Sequence, residues 1–311
     1  VDIQQITFKM LELDKKYSDK QKVFDELLFG SGVVVFRDIF DLKKIEEARN
    51  ITNHFAENQE QKETHFNAEA ESSGKIHLQQ RVWNLFGKGE VFSDLITNDL
   101  IFDLMGKFLG SEFFCGSYCA SRLLPGAPGQ EMHLDYPYWD FYKSETFPLG
   151  LNSSFPQNCQ VTIPLDECSA LSGATGYIPG SQKKLHYPNA NDDFSNKQQM
   201  IANPGDLVFF NGNCWHGASP NKSNHQRAAL LIEFLPKYIK PVEDLVSYLD
   251  ESFKKNSNDR IKQLLGLQYP YPKIMDVSKS VNDIGIAVSY THLRAHETRE
   301  DLVCRLLLEK K

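Results

Sequence analysis

The sequence predicts a mostly β fold with flanking helices, a jelly roll built around one site. Three observations lead there. After Gly110 the chain turns into short apolar stretches separated by Pro- and Gly-rich turns. The segments on either side carry apolar residues at helical spacing instead. Within the β-rich part, His133 and Asp135 stand two residues apart, where a strand points both side chains to one side. Regular short strands with turn signals mean a sandwich or barrel, not a parallel α/β sheet. A jelly roll suits such a site because alternate residues line its cavity, so groups distant in sequence can meet there.

Taken in order, residues 18–28 read as a short helix ending at Gly30, and the β-branched run Gly32 to Arg37 as a strand. Asp41 can cap a helix whose apolar positions Leu42, Ile45, Ala48, Ile51 and Phe55 recur at helical spacing. Residues 57–76 are polar and read as a loop and candidate lid. Arg81 to Leu85 is apolar and aromatic again. A helical pattern from Phe92 to Leu109 stops at Gly110, with Asn98-Asp99 placed to split it. The expected strands are 113–124, 131–136, 158–165, 175–178, 206–210 and 228–234. Helix is expected again over 242–265, with breaks. We expect one domain over 1–287: a helix-rich part to about 112, the jelly-roll core over 113–236, and helices over 237–287.

A net charge of -7 and a pI near 5.8 argue against a nucleic-acid binder, which would show a basic stripe. No apolar run is long enough to span a membrane. The chain opens at Val1, so an earlier segment is open to question. Its six Cys residues show no CxxC or paired spacing, which favours free thiols and a cytoplasmic setting. The stretch Tyr290 to Thr298 reads as the translation of a sequencing-library adapter, and 302–311 as its far end running into poly-A. We therefore expect 288–311 to be a non-native tail, with the native chain cut short near Ala287. This sets aside His292 and His296, whose spacing of four would otherwise pass for a helical metal pair.

An imidazole and a carboxylate side by side can take two adjacent positions on a divalent metal, and need one more ligand. His216, in Asn213-Cys214-Trp215-His216-Gly217, is the natural candidate, and Arg227 follows eleven positions later. Two His and one carboxylate with open positions opposite is the non-haem iron(II) oxygenase arrangement. A nearby Arg gives a bidentate clamp for an oxo-acid co-substrate. Alone, the His133/Asp135 pair is more simply a core histidine beside a cap carboxylate; His216 and Arg227 reverse that weighing. Arg227 opens an apolar strand, where an unpaired charge is costly, so it should have an anionic partner. His54, His65, His77, His186 and His225 read as surface or loop residues. Cys214 reads as a small buried side chain.

The chain also resembles the phytanoyl-CoA dioxygenase family of iron(II)/2-oxoglutarate-dependent oxygenases, over about residues 25–236. The resemblance is carried by Pro125 to Asp135, Ile163 to Glu167, Gly173 to Ser181, Pro204 to Phe210, and Trp215-His216-Gly217 through Arg227. It implies a double-stranded β-helix, cupin-like core, iron(II) on His133, Asp135 and His216, and the distal carboxylate of 2-oxoglutarate on Arg227. Two positions depart from the family pattern. Gln182 stands where a His is common, and Ala218 where a Ser is common, with Ser219 next door. Further candidate co-substrate contacts are Tyr118 and Arg122, on the strand before the first motif, with Thr162, Thr175 and Ser219. Candidate substrate contacts are Tyr136, Tyr138 and Trp139, directly after the metal motif, with Arg81 and Trp83 reaching the same mouth.

These residues predict a dioxygenase that consumes O2 and 2-oxoglutarate, releases succinate and CO2, and hydroxylates a small or medium-sized metabolite or an acyl-CoA. Related halogenases, as the resemblance implies, put a small residue at the carboxylate position, so Asp135 points to hydroxylation. Two alternatives use the same fold: a non-catalytic metal-binding ligand module, and a zinc or manganese enzyme without an oxo-acid. The second leaves Arg227 unexplained.

Overall fold

The computed structural model describes residues 10–14, 19–58, 72–135, 157–184 and 186–267. The chain divides into a unit at Val1–Leu265 and a second at Gly266–Lys311, of which only 266 and 267 are described. The tail expected at 288–311 and most of the polar loop at 57–76 lie outside the described residues.

Among the described residues ten strands form two sheets: β1 (Leu11–Asp14), β2 (Val33–Arg37), β3 (Gln79–Val82), β4 (Phe114–Leu123), β5 (Cys159–Pro164), β6 (Thr175–Tyr177), β7 (Gln198–Gln199), β8 (Leu207–Asn211), β9 (His216–Ala218) and β10 (Arg227–Leu235). The larger sheet runs β1-β2-β8-β5-β10-β4-β3, and the smaller β7-β6-β9. Pairing is antiparallel except between β1 and β2. The six described helices are α1 (Lys20–Leu28), α2 (Leu42–Asn58), α3 (Glu90–Ile96), α4 (Asp99–Phe108), α5 (Glu251–Asn256) and α6 (Asp259–Leu264). This is the jelly roll with flanking helices that the sequence predicts. The large sheet nevertheless draws three strands from before residue 113, so the helix-rich part and the core share one sheet.

Local chemistry explains most boundaries. Asp19 caps α1 by accepting from the Lys22 N–H. Asn98 accepts from the Leu100 N–H, which ends one helix and starts the next, the split its sequence invites. Val33-Val34-Val35 is β-branched and fully buried in mid-sheet. The turn Pro204-Gly205-Asp206 uses a left-handed Gly205 (φ 93°). Asp206 there holds Arg37 at 2.6 Å and accepts from the Asp38 N–H, clamping β2 to the start of β8. Residues 242–250 do not form the expected helix. The Asp244 side chain accepts from the Val246 and Ser247 N–H groups at 3.2 and 2.9 Å, and this turn competes with helical pairing.

The register of the large sheet separates two faces. One carries Arg227, Ala229, Leu231 and Glu233 of β10, with Ser121 and Cys119 of β4, Thr162 and Gln160 of β5, and Arg81 of β3. It turns toward the small sheet: Val33, Val35, Val208 and Phe210 pack with Tyr177, Met200 and Cys214. The opposite face lies under the helices, and this corrects the expectation for Tyr118. Its side chain points to that outer face, its ring packs on Phe86 and Phe92, and its hydroxyl donates to the Phe92 carbonyl at 3.0 Å. Period-two alternation sends Tyr118 outward and Cys119 inward. Arg122 shares the outer face and pairs with Glu57 at 2.7 Å.

Two outcomes are expected. Tyr118→Phe should cost about 1 kcal/mol in urea denaturation, the worth of one hydrogen bond, with oxo-acid affinity unchanged; weaker oxo-acid binding at full stability would return Tyr118 to the cavity. Cys115, Cys119, Cys159, Cys168 and Cys214 are free and buried, and burial raises the pKa of each thiol, Cys119 to about 11 and Cys214 to about 12. A disulfide reagent at pH 8 should therefore modify these five only on unfolding. Peptide mapping that finds any of them labelled in the folded protein would contradict their placement.

Candidate metal centre

His133 and His216 are far apart in sequence and directly opposed in the fold. Each donates its backbone N–H to the other's carbonyl at 2.8 Å, an antiparallel bridge that extends the small sheet beyond β9. Residues paired this way point to one side, and the two rings lie 4.5 Å apart. Gly217 permits the approach. A Cβ there would stand 2.7 Å from the Glu131 carbonyl and 2.9 Å from that of Gln130. Asp135 follows on the same side, its N–H bonded to the Gly212 carbonyl at 3.1 Å.

The rings are set in matching tautomers. Nδ1 of His133 lies 2.8 Å from the Glu131 carbonyl, and Nδ1 of His216 lies 2.8 Å from that of Cys214, in each case two residues back. A carbonyl can only accept, so each Nδ1 carries a proton, and in the neutral ring each Nε2 keeps its lone pair. Those Nε2 atoms face Asp135, at 3.7 Å for His133 and 3.2 Å for His216. One ligand atom from each residue fits within 4.8 Å of the others. That donor set, two imidazole nitrogens and a carboxylate oxygen on one side, suits a divalent transition metal.

The electrostatics agree. Burial and the neighbouring His216 lower the pKa of His133. Burial alone would raise the Asp135 carboxyl, yet His216, by charge and hydrogen bond, brings it below the usual carboxylate value. Burial, the largest single influence, would lower His216, but the charge and hydrogen bond of Asp135 together with the Cys214 carbonyl raise this ring. Asp135 thus stays ionised and draws positive charge to the space between the two rings.

Arg227, the first residue of β10, is 3% exposed. It donates through Nη2 to the Gly173 carbonyl, and its buried Nε has no hydrogen-bond partner. Burial lowers its pKa, and the nearby Arg81 lowers it further. A guanidinium stays charged even so, and a buried charge held by one carbonyl calls for an anion.

The other predicted residues divide by face. Thr175 pairs with Ala218 across β6 and β9, and Tyr177 with His216, so Thr175 shares the face of the metal cluster. Thr162 lies in the inner row with Leu231 and Val208. Ser219 does not join them. It accepts from Gln199 at 3.0 Å beside Gly176, on the outer side of the small sheet, because alternation from His216 puts Ala218 inward and Ser219 outward. Arg81 is inward, opposite Ser121, and its charge lowers the pKa values of His133 and Asp135. Trp83 stands just past the end of β3 at 36% exposure. Tyr136, Tyr138 and Trp139 lie outside the described residues. Gln182 donates to the Gly30 carbonyl at 3.1 Å and is buried against Gly32. The inward positions Ser121, Cys119, Leu231 and Glu233 were not singled out from sequence, although alternation counted from Arg227 along β10 finds two of them.

Known proteins agree with this picture. The family model for phytanoyl-CoA dioxygenase matches residues 30–229. A dioxygenase of Alternaria alternata, ALT11, is 26% identical over 62% of this chain and 65% of its own length. Dioxygenase af480 of Aspergillus fumigatus is 25% identical over 61% and 59%. The chain therefore spans about three fifths of these two relatives. Dioxygenase andF of Emericella variicolor is 22% identical over 82% of this chain and 86% of its own. Among solved structures, the epimerase SnoN with Fe3+, alpha ketoglutarate and nogalamycin RO superposes with a TM-score of 0.54 at 13% identity, over 70% of this chain and 83% of that one. HygX of Streptomyces hygroscopicus, with nickel, 2-oxoglutarate and hygromycin B, reaches 0.53 at 14%, over 73% and 90%. At such identities these two show a shared fold. The family match runs from the end of α1 into β10 and takes in every predicted ligand; the chain belongs to the phytanoyl-CoA dioxygenase family of iron(II)/2-oxoglutarate-dependent dioxygenases.

Proposed function

We propose that this protein hydroxylates a small or medium-sized metabolite, with His133, Asp135 and His216 holding iron(II) and Arg227 holding the distal carboxylate of 2-oxoglutarate. The observation that carries this reading is the pair of tautomer-set rings facing one carboxylate, with a buried guanidinium on the facing sheet. When bound, iron(II) and 2-oxoglutarate supply the oxidising chemistry. O2 and the oxo-acid become succinate, CO2 and one oxygen atom, which enters a substrate C–H bond to give an alcohol.

The chain's own groups do the rest. The Glu131 and Cys214 carbonyls keep the proton on Nδ1, so both Nε2 atoms stay available as ligands. Arg227 presents its unpartnered Nε to a carboxylate, a charge-assisted contact made where water is excluded. Ala229 and Ser121, small residues one row from Arg227, leave room on the inner wall for the oxo-acid chain. Thr162 and Thr175 offer hydroxyls to it from the two sheets. Arg81 and Trp83, with Tyr136, Tyr138 and Trp139, are our candidates for substrate contact. A carboxylate at 135 occupies the position that halogenases leave to chloride, which favours hydroxylation. The small molecules bound in the fold neighbours, nogalamycin RO and hygromycin B, support a metabolite over a macromolecule. No helix of the described residues is long and apolar enough to cross a membrane. Five buried free thiols fit a cytoplasmic setting.

Anaerobic addition of iron(II) and 2-oxoglutarate should produce a weak visible charge-transfer band. In Arg227→Ala, half-saturation of that band should need about 100-fold more oxo-acid, the loss of about 3 kcal/mol in charge-assisted hydrogen bonding. Unchanged oxo-acid affinity would favour a metal-binding module without a co-substrate. Gly217→Ala should weaken metal binding about 10-fold or more by forcing the His133 strand off β9. Metal titration at wild-type affinity in that variant would show that the bridge tolerates the methyl group. Succinate release screened across acyl-CoAs, amino acids, phosphonates and terpenoid-like acids tests the substrate class; stimulation by none of these would count against hydroxylation of such metabolites.

A further inference from the structure

Asn158 lies just before β5 and is fully buried. Its Nδ2 donates to Glu233 Oε1 on β10 at 3.2 Å, an oxygen that Gln160 also approaches, at 3.5 Å. Its Oδ1 is buried with no hydrogen-bond partner. The carboxamide fills the space beside Gly212, in the turn between β8 and β9. A Cβ on Gly212 would fall 1.5 Å from Oδ1, 2.2 Å from Cγ and 2.4 Å from Nδ2. No side chain fits at 212 while Asn158 keeps its place. The Gly212 carbonyl, in turn, accepts the Asp135 N–H at 3.1 Å.

We propose that Asn158 is a positioning residue for Asp135: seated in the notch at Gly212 and tied to Glu233, it fixes the peptide that anchors the carboxylate of the metal cluster. The inference rests on the iron reading of His133, Asp135 and His216. His133 is held on β9 by two backbone bonds, whereas the anchor of the Asp135 backbone among the described residues is this one carbonyl. An apolar side chain could fill the notch without burying an unpartnered acceptor, which costs about 1–3 kcal/mol. What the amide adds is a link from the turn to β10, the strand that also carries Arg227. The two halves of the site, carboxylate ligand and guanidinium, are then referenced to the same strand.

Cobalt(II) titration of the apoprotein, followed by visible absorption beside the melting temperature, tests this. Asn158→Ala should bind cobalt 10- to 100-fold more weakly while melting close to wild type, and Gly212→Ala should do likewise. Because both variants break one contact, the double variant should lose no more than the more damaged single. Asn158→Ser, expected between wild type and Asn158→Ala, gives the same comparison if the alanine variant does not fold. Wild-type cobalt affinity in a folded Asn158 variant, or losses that multiply in the double variant, would overturn the proposal. A wild-type protein that takes up no cobalt would instead sink the metal reading itself.

Discussion

Two backbone hydrogen bonds between His133 and His216 hold together the residues that could bind a metal. They make a strand pair out of segments more than eighty residues apart in sequence, and such a pair leaves its side chains on one face whatever those side chains are. The functional content comes from what stands beside the bridge. A carbonyl two residues before each ring orients it, a glycine allows the strands to close, and a carboxylate two residues on completes the cluster. Without the bridge, His133 and Asp135 on one segment would have no fixed relation to His216 on the other.

The two faces of the large sheet divide the labour. The outer face is covered by helices, and its polar exceptions are internally satisfied: Tyr118 on the Phe92 carbonyl, Arg122 on Glu57. The inner face keeps groups that apolar packing would reject, Arg227, Arg81, Thr162, Gln160 and Glu233, in register around the metal cluster. Buried polar groups of this kind cost stability, and their concentration on one wall is the mark of a surface shaped for ligands. Along β10 this wall carries charge at both ends, Arg227 and Glu233, with Ala229 and Leu231 between them.

Much of this was legible in the sequence, and the reasons differ from residue to residue. His133 and Asp135 announce themselves because period two and metal geometry act within three residues. Arg227 stands out because a charge opening an apolar strand needs an explanation. The strands β2, β5, β8 and β10 follow from β-branched and apolar runs, and the helix break at Asn98 from a capping side chain. β1, β3, β7 and β9 are not among the expected strands: each has two to four residues, too few for periodicity, and lacks the Gly and Pro flanks that mark β6. Tyr118 and Ser219 were assigned to the co-substrate by closeness in sequence, and a one-residue change of parity turns each of them away. The notch that Asn158 fills at Gly212 is tertiary, and no spacing rule reaches it.

X-ray absorption of the iron(II)-loaded protein bears most directly on the central claim. The account predicts a first shell of nitrogen and oxygen scatterers that includes two imidazoles, falling to one in His216→Ala. Sulfur in that shell, from Cys119 or Cys214, or an imidazole signal that His216→Ala leaves untouched, would place the metal elsewhere and contradict it.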